Sequence, residues 1–119
     1  MATERATLHL CPNFENGQVD EEFLYFRIMM DGKILEDNLP KKHAERLCAK
    51  INAAGLRFAE AQRLIAFYLV QYVAEIEKCL KRSQDAFSRA EIANANGQAF
   101  INFRISRAEA DRERMRATE

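Results

Sequence analysis

The stretch Glu22–Leu39, EFLYFRIMMDGKILEDNL, decides how the chain folds. Asp31-Gly32 stands between two apolar runs, the usual signal of a two-residue hairpin turn in which both central residues need positive φ. With that pair as the loop, Met30 faces Lys33, Met29 faces Ile34, Ile28 faces Leu35 and Arg27 faces Glu36. Apolar meets apolar and cation meets anion, as cross-strand pairs prefer. Leu24, Phe26, Ile28 and Met30 then line one face with Leu35 and Leu39, and that face is expected to be buried.

Outward from the hairpin, Thr7–Leu10 reads as an earlier strand, and the stretch around Asn16-Gly17 as a loop. Asn38 and Pro40 read as a helix start, since proline suits a first turn. Ala44, Leu47, Cys48 and Ile51 follow at helical spacing, and Gly55 supplies a left-handed stop. Residues 7–55 are one strand, hairpin and helix unit.

Residues 56–96 read as one long helix. Ile65, Leu69, Tyr72, Ile76, Cys79, Ser83, Ala86, Ala90 and Ala93 alternate spacings of four and three, a seam of coiled-coil type. Leu64, Phe67, Tyr68, Val70 and Val73 add apolar groups around the rest of its first half, and a helix apolar all round must be buried all round. After Gly97 the period changes to two: Ala99, Ile101, Phe103 and Ile105 alternate with Phe100, Asn102, Arg104 and Ser106. This predicts a C-terminal strand that joins the sheet, then a last helix from Arg107 to about Ala117.

The tetrapeptide SRAE occurs at Ser88–Glu91 and again at Ser106–Glu109. The second copy has the form of a capping box, Ser106 and Glu109 each bonding the other's backbone N–H. The first caps a break after Phe87, with Phe87 and Ile92 as a staple, or lies inside a continuous helix. The match does not extend into the flanks, so local helix grammar used twice explains it better than a duplicated binding motif.

The resulting expectation is a single α+β domain, a small antiparallel sheet made of the N-terminal hairpin and the C-terminal strand, packed on a long central helix with two shorter ones. A chain of 119 residues with 48% apolar content can bury such a core. Lys plus Arg equals Asp plus Glu at 18 each, which argues against a polyelectrolyte that coats nucleic acid. Residues 1–56 carry seven basic and nine acidic side chains and residues 57–119 eleven and nine, too small a shift to mark a tail. Cys11, Cys48 and Cys79 are odd in number and widely spaced, so no disulfide framework is indicated. Without a signal-peptide core or an apolar run of about 20 residues, the reading is a soluble protein of a reducing cytoplasm.

Catalytic chemistry has little to draw on. The three serines lack a nucleophile-elbow pattern, and all four glycines are explained as turns or caps, leaving no phosphate cradle. The expectation is no enzyme, no cofactor and no metal. His9 with Cys11, and His43 with Cys48, lack the close pairing of zinc sites; Cys48 reads as a small core residue and His43 as a solvated first-turn residue.

What remains is surface. The apolar surplus of the long helix, placed around Phe67, Tyr68, Gln71 and Tyr72, calls for a protein partner or a two-fold dimer. The sequence-based reading is thus a non-enzymatic binding protein acting by stoichiometric contact, an adaptor, regulator or inhibitor of the kind phages and plasmids encode. The alternatives are a nucleic-acid binder using Arg104, Arg107, Arg112 and Arg116, and a small-molecule or nucleotide sequestering protein with a pocket at a subunit interface.

Overall fold

The structure, a computed structural model, describes residues 5–14, 19–90 and 95–118. Three strands form one antiparallel sheet in the order β1 (Thr7–Leu10), β2 (Tyr25–Met30) and β3 (Lys33–Pro40). Four helices follow: α1 (Lys41–Ala54), α2 (Phe58–Gln71), α3 (Val73–Arg89) and α4 (Ala95–Thr118). The fold is α+β, as the sequence implies. Among the described residues no helix is long and apolar enough to cross a membrane.

The hairpin turn is where Asp31-Gly32 placed it, with φ of 56° and 74°. Met30 pairs with Lys33 and Met29 with Ile34, as expected. Beyond that the register slips, because β3 carries extra residues: Ile28 pairs with Glu36, and Phe26 with Leu39. The second bulge bends the strand at Asn38, whose φ is 57°. Asn38 therefore belongs to β3 and does not start α1. Arg27 reaches Asp37 instead of Glu36, its Nη2 lying 3.1 Å from Oδ2. The two bulges leave the buried face intact: Leu24, Phe26, Ile28, Met30, Leu35 and Leu39 are all buried.

Pro40 ends β3 opposite Tyr25 and serves as the N-cap of α1, where its missing N–H costs nothing. Gly55 closes α1 in the left-handed region at φ 61°, and Leu56 N returns to Ile51 O at 3.2 Å. Ala44, Leu47 and Ile51 pack α1 against the sheet as part of one continuous core.

The single long helix of residues 56–96 is corrected. It is two helices joined at Tyr72, where φ is −108° and ψ 26°. The bonds Tyr72 N to Tyr68 O and Ile76 N to Tyr72 O, at 2.9 and 3.0 Å, span the joint, so the seam keeps its inward direction from Ile65 through Ala86. The first half is not buried all round: Ala66, Phe67 and Gln71 are exposed.

The C-terminal strand is also corrected. Residues 98–106 lie inside α4, the longest helix at 24 residues. Its inward stripe is Gly97, Ile101, Arg104, Ala108 and Asp111, at spacings of four and three. Two of those five residues are charged and one is glycine, so hydropathy does not show the stripe. Ser106 is an exposed interior residue of α4, not its cap, and Ser88 lies in the last turn of α3. The chain between α3 and α4, with Ile92 and the end of the first SRAE, lies outside the described residues, as does Asn16-Gly17.

Candidate interaction surfaces

The predicted contact patch sits at the joint between α2 and α3, and the structure divides it. Tyr68 turns inward. It is buried, and its hydroxyl lies 2.7 Å from Nδ1 of His43. Tyr72 is half-buried, its ring 4.4 Å from that of Tyr68. Phe67 and Gln71, one turn apart, face outward; Phe67 is 71% exposed.

His43 is a fully buried residue and not a solvated one. It falls at the i, i+4, i+8 spacing with Leu47 and Ile51, which places it on the buried face of α1. Its Nε2 faces Glu75 Oε1 at 3.6 Å without a hydrogen bond. The surroundings assign the tautomer: the Tyr68 hydroxyl donates to Nδ1, and Nε2–H points towards the carboxylate. Burial pulls the imidazole pKa down to about 4, against the opposing pull of Glu75. Glu75 Oε1 also accepts from Lys42 Nζ at 3.0 Å and from Arg46 Nη1 at 3.1 Å, and the Lys42 bond holds its carboxyl below the ordinary value. Lys42, His43 and Arg46 of α1 thus clamp the first turn of α3, while Tyr68 ties the last turn of α2 to the same face. The cluster fixes the joint that presents Phe67.

The four sequence-derived arginines are divided: Arg112 and Arg116 line one shallow depression of α4 with Ser106, Glu109 and Glu113, while Arg104 is turned into the core. Arg104 is 2% exposed; its guanidinium donates to Asn38 O at 2.8 Å, to Asp37 O, and to Glu36 Oε2 at 3.0 Å. Arg107 pairs with the same Glu36 oxygen at 2.6 Å, and Arg112 pairs with Glu77. Only Arg116 of the four sequence-derived candidates is exposed without an ion pair among the described residues. Arg104 is thus committed to the core, while Arg107 and Arg112 stay partly exposed beside their carboxylate partners, interleaved with acidic side chains.

A cleft of about 280 Å³ lies between the N-terminus of α1 and α3, lined by Glu22, Phe23, Lys41, Cys79 and Arg82 among others. Its cations are engaged, Lys41 with Glu21 at 2.7 Å and Arg82 with Glu22 at 3.5 Å. Burial raises the Cys79 pKa, which disfavours the thiolate that reactivity needs. Cys11 is pushed up to about 12 by burial and by its hydrogen bond to Asp37. Cys48 gives its Sγ to Ala6 O at 3.0 Å. Among the described residues no three His, Cys, Asp or Glu side chains converge as a metal cage.

A second apolar surface escaped the sequence reading. Phe103 is 58% exposed on α4 and lines a shallow depression with Ala99 and Phe100. The strand assignment hid it, because alternation puts Phe100 and Phe103 on opposite faces, whereas a helix brings residues three and four apart together, Ala99 and Phe100 each one turn from Phe103.

No family model, curated protein or solved structure matches the chain. Function therefore rests on these surfaces.

Proposed function

We propose that this chain is a non-enzymatic binding protein of a reducing cytoplasm, working by stoichiometric contact with a protein partner as an adaptor, regulator or inhibitor does, and that it self-associates as a two-fold dimer. One observation carries the contact reading: Phe67, a large aromatic 71% exposed, stands on α2 beside Tyr68, whose buried hydroxyl is tied to His43 of α1. An exposed aromatic on a fixed platform loses little entropy on docking, and such residues anchor interfaces. The engaged arginines and the internally paired cleft give the nucleic-acid and small-molecule readings no comparable support.

The test is affinity capture from the native host, with nuclease, comparing the natural chain with Phe67→Glu. The expected result is one stoichiometric protein retained by the natural chain and lost by the variant. Recovery of nucleic acid alone, or equal retention by both chains, overturns the reading.

A further inference from the structure

The sheet has two edges, and they are treated differently. The outer edge of β3 is closed: two bulges bend it, and Arg104 bonds the carbonyls of Asp37 and Asn38. Bulges and covering side chains are the ordinary means of blocking edge-to-edge pairing. The outer edge of β1 has no bulge, and among the described residues side chains cover it only at its start, where Asn52 of α1 bonds Ala6 N at 2.8 Å and Ala6 O at 3.0 Å, leaving the edge open from Thr7 onward.

Its hydrogen-bonding pattern follows from the register. Cys11 N donates to Tyr25 O at 3.0 Å, and the pairing continues as Leu10 with Phe26, His9 with Arg27, Leu8 with Ile28 and Thr7 with Met29. Bonded and non-bonded pairs alternate in an antiparallel ladder. The backbone groups of Thr7, His9 and Cys11 therefore face β2, and those of Leu8 and Leu10 face outward. Among the described residues nothing bonds the outward groups of Leu8 or Leu10. The strand TLHL contains no Lys, Arg, Asp, Glu or Pro, the residues that guard natural edges.

We infer that a second copy of this chain pairs here, β1 against β1, joining two three-stranded sheets into one across a two-fold axis at His9. The inference rests on the self-association proposed above and names its surface. The edge is self-complementary. With His9 on the axis, Leu8 of one copy falls opposite Leu10 of the other, and the two exchange both backbone bonds; the symmetry-related pair does the same. Leu8 and Leu10 are half-buried and pack against the core, so the opposed leucines extend the apolar face across the junction. Thr7 and His9 lie on the other face, joined by Thr7 Oγ1 and His9 Nε2 at 2.9 Å, and both are exposed. A foreign strand could satisfy the same backbone groups; a second copy does so with leucine opposite leucine and no charge on either edge.

Two variants test this in the full-length chain. His9→Glu places like charges opposite each other at the axis, while within its own sheet the new carboxylate faces Arg27 favourably, so the protomer keeps its fold, as circular dichroism will show. His9→Cys puts thiols at a non-hydrogen-bonded pair, where Cα atoms stand about 4.5 Å apart, within reach of a disulfide. Sedimentation equilibrium is expected to give a dimer for the natural chain and a monomer for His9→Glu, and mild oxidation is expected to convert His9→Cys, but not the natural chain, into a covalent dimer. A natural chain that stays monomeric at several hundred micromolar overturns both the edge and the self-association. A dimer that His9→Glu leaves intact, or a His9→Cys chain that gives no covalent dimer, overturns the edge alone.

Discussion

The Nε of Arg104 lies 2.8 Å from the carbonyl oxygen of Asn38, joining the middle of the last helix to the bulged end of the last strand. Asn38 has left the regular β conformation, which turns carbonyls away from the ladder, and the buried guanidinium takes up those of Asp37 and Asn38 together with the Glu36 carboxylate. Burial works against the charge and pulls the Arg104 pKa down, while Glu36 works to restore it. The planar fork is what allows one side chain to serve three acceptors.

Arg104→Met is therefore expected to cost about 3 kcal/mol or more in urea unfolding, the range for removing one partner from a buried ionic network. Arg104→Lys should recover only part of that loss, because a single ammonium cannot reproduce the fork. A cost below about 1 kcal/mol would mean that the strand carbonyls find other partners once the arginine is gone.

Gly97 offers a second test of the packing of α4. A Cβ there would meet the Phe14 ring at 3.1 Å and the Phe87 ring at 3.4 Å. Phe14 cannot withdraw easily: it is fully buried, stacked on Tyr25 with centroids 5.1 Å apart and set edge-on to Phe87 at 5.6 Å. Helix propensity alone favours Gly97→Ala by about 1 kcal/mol. The overpacking should outweigh it, giving a net loss on the order of 1 kcal/mol. Phe14→Leu in the Gly97→Ala background should then cost less than the sum of the two single changes.

The buried imidazole predicts acid sensitivity. His43 has a folded-state pKa near 4 against 6.5 for the free group. As pH falls the unfolded chain takes up this proton first, so the stability is fully present above about 6.5 and is lost between 6.5 and 4, with a slope approaching 1.4 kcal/mol per pH unit. Glu75, whose carboxyl is held low by Lys42, adds a loss in the same direction at lower pH. Lys42, Arg46, Tyr68, Tyr72 and Glu75 all surround the ring, so the His43 part is isolated by comparison: His43→Gln should be less stable at neutral pH and flatter between pH 6.5 and 4. Parallel curves for the two proteins would remove His43 as the source.

The two SRAE serines give a control with identical chemistry. Both Ser88 and Ser106 are exposed helical residues. Each serine-to-alanine change should be neutral or stabilise by about half a kcal/mol, the propensity difference within a helix. A loss of about 1 kcal/mol at Ser106, the cost of a lost cap, would instead place a helix start at that position.

Where local chemistry settles the conformation, the fold is legible in the chain alone. Asp31-Gly32 tolerates two successive positive φ values, Gly55 ends a helix in the left-handed region, and Leu24, Phe26, Ile28 and Met30 at alternate positions mark the face that β2 buries. The α+β class and the hydrophobic side of the hairpin follow from these features. The conformation after Gly97 does not. Ile101, Phe103 and Ile105 alternate as a strand would, and they fit a helix only because Arg104 and Asp111 are buried with Ile101, while Phe103 is left outside. No local preference makes an arginine a core residue. Bulged carbonyls and a carboxylate from β3, more than sixty residues earlier in the chain, supply what its charge needs. His43 follows the same logic, since only the approach of Tyr68 and Glu75 from other helices makes a first-turn histidine a buried one. The tertiary structure decided these positions because the cost of burying a polar group depends on its partners, and those partners are brought by the fold.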